Sequence, residues 1–261
     1  MLFRSHLDRL FDSCRAVRLD IGLDRAGVIA ALEQTRRANA MHENVHCRLM
    51  VTRGIKDKPF QHPSLSRSGP TIVVIMEHST PSDALAERGI RLATVPQVRG
   101  LPMSQDAKYN SHSKLNCVLA CLQAEEAGAD EGLMLDPHGF VDTTNACNFF
   151  IVRRGEVWTS TGDYCMNGVT RRKIIELCRE NGIPVFERNY SLFDAYAADE
   201  AFLTGTFGAQ TPVASIDGRA LGDGSGGSGP VTRRLRRLYA ELVERDTADR
   251  ALSGSGGAGE R

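Results

Sequence analysis

The stretch GLMLDPHGFVDTTNACNFFIVRRGEVWTS, residues 132–160, determines the predicted fold. Its apolar runs are short and rich in β-branched and aromatic residues, which is typical of strands. They are separated by Pro137-His138-Gly139 and by Arg154-Gly155, which are typical turn sequences. We therefore predict a series of short strands joined by tight turns.

Helices and further strands are predicted on both sides of this stretch. Residues 115–127 and 168–181 have the apolar spacing of helices, and each run is followed by a glycine. The segment DEAFLTGTFGAQTPVASIDG (199–218) predicts a strand, a glycine-rich turn and a second strand. A last helix is predicted over residues 230–246, after a flexible loop at 222–229.

The first hundred residues predict two helices, over 5–17 and about 25–39, and then strands over 46–54, 71–78 and 90–99. The predicted fold class is therefore α+β. We place a small N-terminal domain at 1–98, an interdomain loop at 99–107, a large domain at 108–252 and a disordered tail at 253–261.

The composition is that of an ordinary globular protein: 261 residues, of which 41% are hydrophobic and 25% charged. The 32 basic side chains balance the 32 acidic ones, which argues against nucleic-acid binding through a basic field. No apolar run is long enough to span a membrane, and the N-terminus does not resemble a secretory signal. Seven cysteines without a CxxC pair indicate reduced thiols in a cytoplasmic protein.

The segment His42-Glu43-Asn44-Val45-His46 matches the zinc motif HExxH, which requires a helix to present both imidazoles on one face. The preceding helix is predicted to end near Asn39, and a strand begins near Val45. No third ligand follows nearby. A zinc hydrolase is therefore the hypothesis that we rank last, and no metal is expected.

Two glycine-bearing turns are candidates for anion binding: residues 167–170, which open a helix, and GTFG at 205–208. Either could instead be an ordinary helix cap or hairpin turn, and neither has a nucleotide-binding spacing. Lys108 and Lys114 lie at and after the end of the predicted interdomain loop. A surface position is the default for both, and a Schiff base with pyridoxal phosphate is the alternative.

Taken together, these segments resemble the class IV (fold type IV) aminotransferases, which include branched-chain aminotransferases, D-amino-acid aminotransferases and aminodeoxychorismate lyases. The matching stretches, in family order, are SHLDRLFDS (5–13), RLMVTRG (48–54), LNCVLACLQAEEAGADEGLMLD (115–136), GFVDTTNACNFFIVRRGEVWT (139–159), NGVTRRKIIELCRENGI (167–183), DEAFLTGTFGAQTPVASIDG (199–218) and GPVTRRLRRLY (229–239). The resemblance implies a small α/β domain and a larger α/β-barrel-like domain. It also implies pyridoxal 5'-phosphate as cofactor and a homodimer.

The resemblance also implies roles for individual residues. Lys108 is the implied Schiff-base lysine, favoured over Lys114 by its place at the end of the loop and by its spacing from Glu131. The implied cofactor-binding residues are Arg9, Lys108, Thr143, Asn148, Val169, Thr170, Gly205 and Thr206. Among these, Arg9, the Val169-Thr170 turn and Thr206 are expected to hold the cofactor phosphate, because a guanidinium and turn N–H groups suit that anion.

Two departures from the family pattern leave alternatives open. Thr143 stands where relatives carry a glutamate that pairs with the pyridine nitrogen, and Asp142 next to it should face the other side of its strand. Without an acidic partner the cofactor is a weaker electron sink. The chain also begins almost at HLDRL (6–10), so the small domain is expected to be truncated, unless the start codon is misassigned.

The main functional prediction is a pyridoxal-phosphate-dependent aminotransferase. It would move an amino group from a branched-chain or similar amino acid to a 2-oxo acid. A lyase of the aminodeoxychorismate-lyase type, and a weakly active or non-catalytic member of the fold, remain the alternatives.

Overall fold

The computed structural model describes residues 2–80, 83–224 and 227–254. The chain forms two compact units, one over the described residues from Phe3 to 80 and one from 83 onward. The predicted boundary at 98 lies later than this division. The segment between the two boundaries contains a strand that pairs inside the second unit, so it belongs there and not to a small N-terminal domain.

The first unit packs two helices against a two-stranded antiparallel sheet. Its elements are α1 (Leu2–Ala16), α2 (Arg25–Ala38), β1 (Val45–Thr52) and β2 (Thr71–His78). Asp24 caps α2 by accepting a hydrogen bond from the Gly27 N–H. Leu7, Val28 and Leu32 lie in the core between the helices and the sheet. Burial of each such side chain contributes about 1.5–3 kcal/mol.

The second unit contains helices around a large sheet. Its helices are α3 (Asp83–Arg88), α4 (Pro102–Gln105), α5 (Leu115–Glu126), α6 (Val169–Glu180), α7 (Leu192–Tyr196) and α8 (Pro230–Gly254). Its strands are β3 (Ile90–Thr94), β4 (Glu131–Leu135), β5 (Val141–Thr144), β6 (Asn148–Arg153), β7 (Glu156–Thr159), β8 (Val185–Glu187), β9 (Glu200–Gly205), β10 (Ala209–Ile216) and β11 (Arg219–Ala220).

Among the described strands, six close into a ring. Strand β10 pairs with β3, β3 with β4, β4 with β5 and β5 with β6, and β9 joins β6 back to β10. The β10–β3 and β3–β4 pairs are parallel and the other pairs of the ring are antiparallel. A sheet that closes on itself has the interior of a small barrel. The barrel-like domain expected from the sequence is confirmed.

Strand β6 is apolar from Phe149 to Val152 because it is buried on both of its faces. Phe149 and Ile151 join an inner cluster to which all six strands of the ring contribute. Phe150 and Val152 alternate with them and face an outer cluster with α6 and α8. Successive side chains of a strand point to opposite faces, so a strand buried on both faces is apolar throughout.

Several predicted boundaries shift. The strand predicted over 90–99 ends at Thr94, although the Val95 and Arg99 N–H groups still bond to β4. The last helix continues to Gly254, so only the rest of the predicted tail, 255–261, lies outside the described residues, as do 225 and 226 of the predicted loop. Within the described residues no helix is both long and apolar enough to cross a membrane.

Candidate active site

A row of four buried polar side chains crosses the barrel wall at one end. Thr143 of β5 pairs with Asn148 of β6, Asn148 with Thr204 of β9, and Thr204 with Gln210 of β10. Directly paired residues point to the same face of a sheet, so the four side chains share one face. The Thr204 hydroxyl and the Gln210 amide nitrogen are buried without a hydrogen-bond partner. Such orphaned groups in one row indicate a site built for a polar ligand.

Asn148 holds the turn that begins α6. Its Nδ2 donates to the Met166 carbonyl at 2.8 Å. Its Oδ1 lies 2.3 Å from where a Cβ would stand on Gly168, so a larger residue there would displace the Asn148 side chain. Gly168 is also the N-cap of α6 and offers no side chain to the first N–H groups of the helix. Those N–H groups have no partner within a helix and are suited to bind an anion.

The side chain of Thr170 takes part in a hydrogen bond within the protein. It is buried and hydrogen-bonds to the Tyr239 hydroxyl of α8. The family resemblance implies that the Val169-Thr170 turn helps to hold the cofactor phosphate. In the structure, the groups of Val169 and Thr170 that remain for an anion are their backbone N–H groups.

The second glycine turn starts beside the polar row. Gly205 ends β9 directly after Thr204, and a Cβ there would lie 3.3 Å from Cys147 Sγ. Thr206 follows in the β9–β10 turn and is exposed. The structure therefore brings Thr143, Asn148 and both predicted turns to neighbouring positions along the row.

Asp142 and Thr143 face opposite sides of β5. The Thr143 hydroxyl donates to the Cys147 carbonyl at 2.7 Å. The Asp142 carboxylate lies 3.9 Å from Arg99 Nε, is only 2% exposed and has one oxygen without a hydrogen-bond partner. Burial raises the pKa of Asp142 to about 6, against the lowering effects of the Ser160 hydroxyl and of Arg99.

The two candidate lysines differ in their surroundings. Lys108 lies in a 3₁₀ turn, Ala107–Tyr109, whose start is capped by the Asp106 carboxylate, and its side chain is exposed. Lys114 directly precedes α5, and its Nζ donates to Asn110 Oδ1 at 3.4 Å. A cavity of about 290 Å³ adjoins this segment, and its lining includes Lys114 but not Lys108. The assignment of Lys108 as the Schiff-base lysine stays a prediction.

Arg9 and the HExxH segment both lie in the first unit. Arg9 is on α1, where its guanidinium contacts His6 Nδ1 at 3.3 Å. His42 precedes β1, whereas His46 is part of β1 and hydrogen-bonds to Glu77 at 3.1 Å. The helix that a zinc site of this type requires is therefore missing from residues 42–46.

Two arginines that the sequence analysis overlooked are part of this site's framework. Arg171 is 2% exposed, and its Nη2 donates to the Ser160 carbonyl at 2.6 Å and to Glu187 at 3.0 Å. It thereby fixes the loop that leads into Gly168. Arg99 is buried beside Asp142. Arg99 ends a predicted strand and Arg171 lies in the first turn of a predicted helix. An arginine is ordinarily a surface residue, so only their tertiary contacts reveal them.

We expect the stability of the protein to depend on the charge of Asp142. Its pKa is about 6 in the folded chain against an ordinary value of 3.8, so the folded state binds the proton more tightly. The stabilising contribution is complete below about pH 4 and is lost as pH rises through 6. Relative to Asp142→Asn, the free energy of unfolding should fall by up to about 3 kcal/mol over this window.

Urea unfolding of both proteins between pH 4 and pH 7 measures this difference. If the difference in the free energy of unfolding between the wild type and Asp142→Asn stays constant with pH, the prediction is contradicted.

Comparison with solved structures assigns the architecture. The branched-chain amino acid aminotransferase of Escherichia coli has a TM-score of 0.84 and 27% identity, over 92% of this chain and 78% of that chain. An aminotransferase from Brucella abortus, solved with the cofactor PLP bound, has a TM-score of 0.76 and 27% identity, over 90% of this chain and 81% of that chain. The architecture is thus that of the fold type IV aminotransferases.

The sequence pattern of the amino-transferase class IV family matches residues 1–216, and the chain belongs to this family. The branched-chain-amino-acid aminotransferase-like protein 1 of Arabidopsis thaliana is 40% identical over 92% of this chain and 42% of its own length. A putative branched-chain-amino-acid aminotransferase of Methanocaldococcus jannaschii is 36% identical over 92% of this chain and 82% of its own. The chain thus spans less than half of the Arabidopsis relative. Other relatives are named D-alanine aminotransferases.

Proposed function

We propose that this chain binds pyridoxal 5'-phosphate and transfers an amino group from a branched-chain or similar amino acid to a 2-oxo acid. The observation that carries the proposal is the Gly168 turn, which Asn148 holds open at the polar row. The turn presents unpaired N–H groups to an anion, and the row has orphaned polar groups of its own. Family membership makes the cofactor phosphate the anion that this arrangement fits.

The residues present offer donors for the cofactor phosphate and an amine for its aldehyde. The N–H groups of Val169 and Thr170, with Gly205 and Thr206, would hold the phosphate. Arg9, which lies in the first unit, stays a prediction from the family resemblance. Lys108 would attach the cofactor covalently through its amine. When bound, the cofactor supplies the electron sink that makes the α-hydrogen of an amino acid acidic.

The chain itself supplies the groups that move protons and orient the substrate. After the substrate amine has replaced it, the Lys108 amine would be free to take the proton from the substrate Cα as a general base and to deliver it, as a general acid, to the carbon that carried the cofactor aldehyde. The backbone of the 205–208 turn is placed next to the polar row, where its N–H groups can meet a substrate carboxylate.

The environment of Thr143 favours a second candidate, a lyase of the aminodeoxychorismate-lyase type. The Thr143 hydroxyl donates its proton to the Cys147 carbonyl in a hydrogen bond. The side chain can therefore present only a neutral oxygen, and no negative charge, to a ligand. A lyase places less demand on charge stabilisation at the pyridine nitrogen, because it releases a product without storing the amino group on the cofactor.

Spectroscopy on the purified protein tests the proposal. With pyridoxal 5'-phosphate we expect an absorbance band at the border of the visible and ultraviolet ranges, which borohydride fixes to one peptide. Addition of L-leucine, L-valine or D-alanine alone should remove the band and release the matching 2-oxo acid. A band that persists while aminodeoxychorismate is cleaved indicates the lyase. Absence of any band in the mixture would overturn both functions.

We further propose that two copies of this chain associate through α5 and that the protein acts in the cytoplasm. Leu115, Val118 and Leu122 are exposed along one face of this helix at the spacing of successive turns. Association would cover this apolar face. The seven cysteines of the chain are all free within the described residues, which fits a reducing compartment.

Light scattering tests the association. We expect a dimer for the wild type and a monomer for Leu122→Glu. The matched control is Phe193→Glu, which adds a charge at an exposed apolar residue of α7. A monomeric wild type, or a dimer unaffected by Leu122→Glu, would contradict the proposal.

A further inference from the structure

Arg99 lies where the lysine-bearing segment leaves the barrel. Its backbone N–H donates to the Leu135 carbonyl at the end of β4 at 2.9 Å, so this residue is the last one held by the sheet. From there the chain runs through the segment 100–114, which contains Lys108 and Lys114, before α5 begins. The Arg99 side chain turns inward and is about nine-tenths buried.

The guanidinium of Arg99 contacts three separate parts of the fold. Its Nε donates to the Tyr164 carbonyl at 3.1 Å and lies 3.9 Å from Asp142 Oδ2. Its Nη1 lies 3.5 Å from Cys117 Sγ in the first turn of α5. Together with Leu135, these contacts join β4, β5, α5 and the loop that leads into the Gly168 turn.

These contacts connect the two halves of the proposed site. Cys117 follows the lysine-bearing segment, so Arg99 holds that segment at both of its ends. Tyr164 belongs to the loop that ends at Gly168, where the anion-binding N–H groups begin. One side chain therefore contacts both the helix that follows the lysine-bearing segment and the loop that approaches the anion-binding turn.

We propose that Arg99 is a positioning residue that sets the spacing between the lysine-bearing segment and the anion-binding turn. The inference rests on the proposed function. A ligand held at both ends gains affinity only when the two attachment points are correctly spaced, because the second contact then forms within the complex. Arg99 should therefore matter for a ligand that has both an aldehyde and a phosphate, and much less for either group alone.

Arginine is suited to this task and lysine is not. The planar guanidinium presents several N–H donors in fixed directions, so it reaches the Tyr164 carbonyl, Asp142 and Cys117 together. A lysine keeps the positive charge beside Asp142 but concentrates its donors at one point. Arg99→Lys thus retains the positive charge and removes the simultaneous contacts with Tyr164 and Cys117.

The experiment compares three ligands on wild type and Arg99→Lys. We expect the affinity for pyridoxal 5'-phosphate, measured by absorbance titration, to fall about tenfold, as the loss of one or two buried hydrogen bonds implies. The affinity for inorganic phosphate, and the extent of reaction with pyridoxal, should change by no more than about twofold. The melting temperature should stay within a few degrees. The matched control is Arg91→Lys, at an exposed arginine that pairs with Asp130.

Each outcome is decisive. If Arg99→Lys weakens the binding of all three ligands equally and lowers the melting temperature, the role of Arg99 is merely structural and the inference is overturned. An unchanged affinity for pyridoxal 5'-phosphate would also overturn it. If Arg99→Lys does not fold, Arg99→Gln combined with Asp142→Asn removes both charges together and should show the same selective loss. A wild-type chain that does not bind pyridoxal 5'-phosphate overturns the proposed function and this inference with it.

Discussion

Replacement of Lys108 by alanine is expected to abolish covalent attachment of pyridoxal 5'-phosphate and to lower amino-group transfer by at least about a thousandfold. The reason is that one amine both attaches the cofactor and moves the substrate proton, and loss of a positioned acid and base alone costs about 10²–10⁴ in rate. The turn at Gly168, which we propose to hold the phosphate, is untouched by this change. The variant should therefore still bind the cofactor, but without a covalent bond.

Lys114→Ala is the matched control. Both lysines are exposed and belong to the same segment, yet the Lys114 amine donates to Asn110, which is a local contact that a surface lysine typically makes. Borohydride reduction followed by peptide mapping locates the attachment. A label on the peptide that contains Lys114, together with an unlabelled Lys114→Ala variant, would overturn the assignment. That result would agree with the lining of the cavity of about 290 Å³, which includes Lys114 and not Lys108.

The elements that could be predicted from the sequence are those whose cause is local. The helix over 168–181 matches α6 because its apolar spacing and the glycines at both ends act within a few residues. The strands of 132–160 match β4 to β7 for the same reason. Helix α7 also has a local cause, since Ser191 and Asp194 form a capping box that the sequence analysis overlooked.

The boundary between the two units could not be predicted in this way. Strand β3 looks like a continuation of the preceding strands, but it pairs with β10, more than a hundred residues later in the chain. Pairing over such a separation leaves no local signal. The polar row has the same origin, because Thr143 and Gln210 become neighbours in one row only through the register of β5, β6, β9 and β10.

Replacement of Thr143 by glutamate is the change for which we expect a gain. The carboxylate would stand in the polar row beside Asn148, on the face opposite to Asp142. In the proposed site a charge there would favour a protonated pyridine nitrogen, and each unit by which the pKa of that nitrogen rises corresponds to about 1.4 kcal/mol of stabilisation. We expect the half-reaction with an amino acid to accelerate by about tenfold to a hundredfold.

The same substitution should destabilise the protein when no cofactor is present. Position 143 is 4% exposed and opposite Met134, so a carboxylate there lacks water and a positive partner. An unpaired buried charge is costly, whereas binding of the cofactor would provide the partner. The rise in melting temperature on addition of pyridoxal 5'-phosphate should accordingly be larger for Thr143→Glu than for the wild type.

Thr143→Gln separates the effect of charge from that of size. Glutamine fills the same space as glutamate, but it carries no charge. Acceleration in Thr143→Glu and not in Thr143→Gln means that the wild-type chain lacks only charge at this position for efficient transamination. If Thr143→Glu instead slows amino-group transfer while the wild type is fast, then the neutral hydroxyl is the better partner. If both transfer rates are low and cleavage of aminodeoxychorismate is fast, the lyase is favoured, because that reaction does not require the charge.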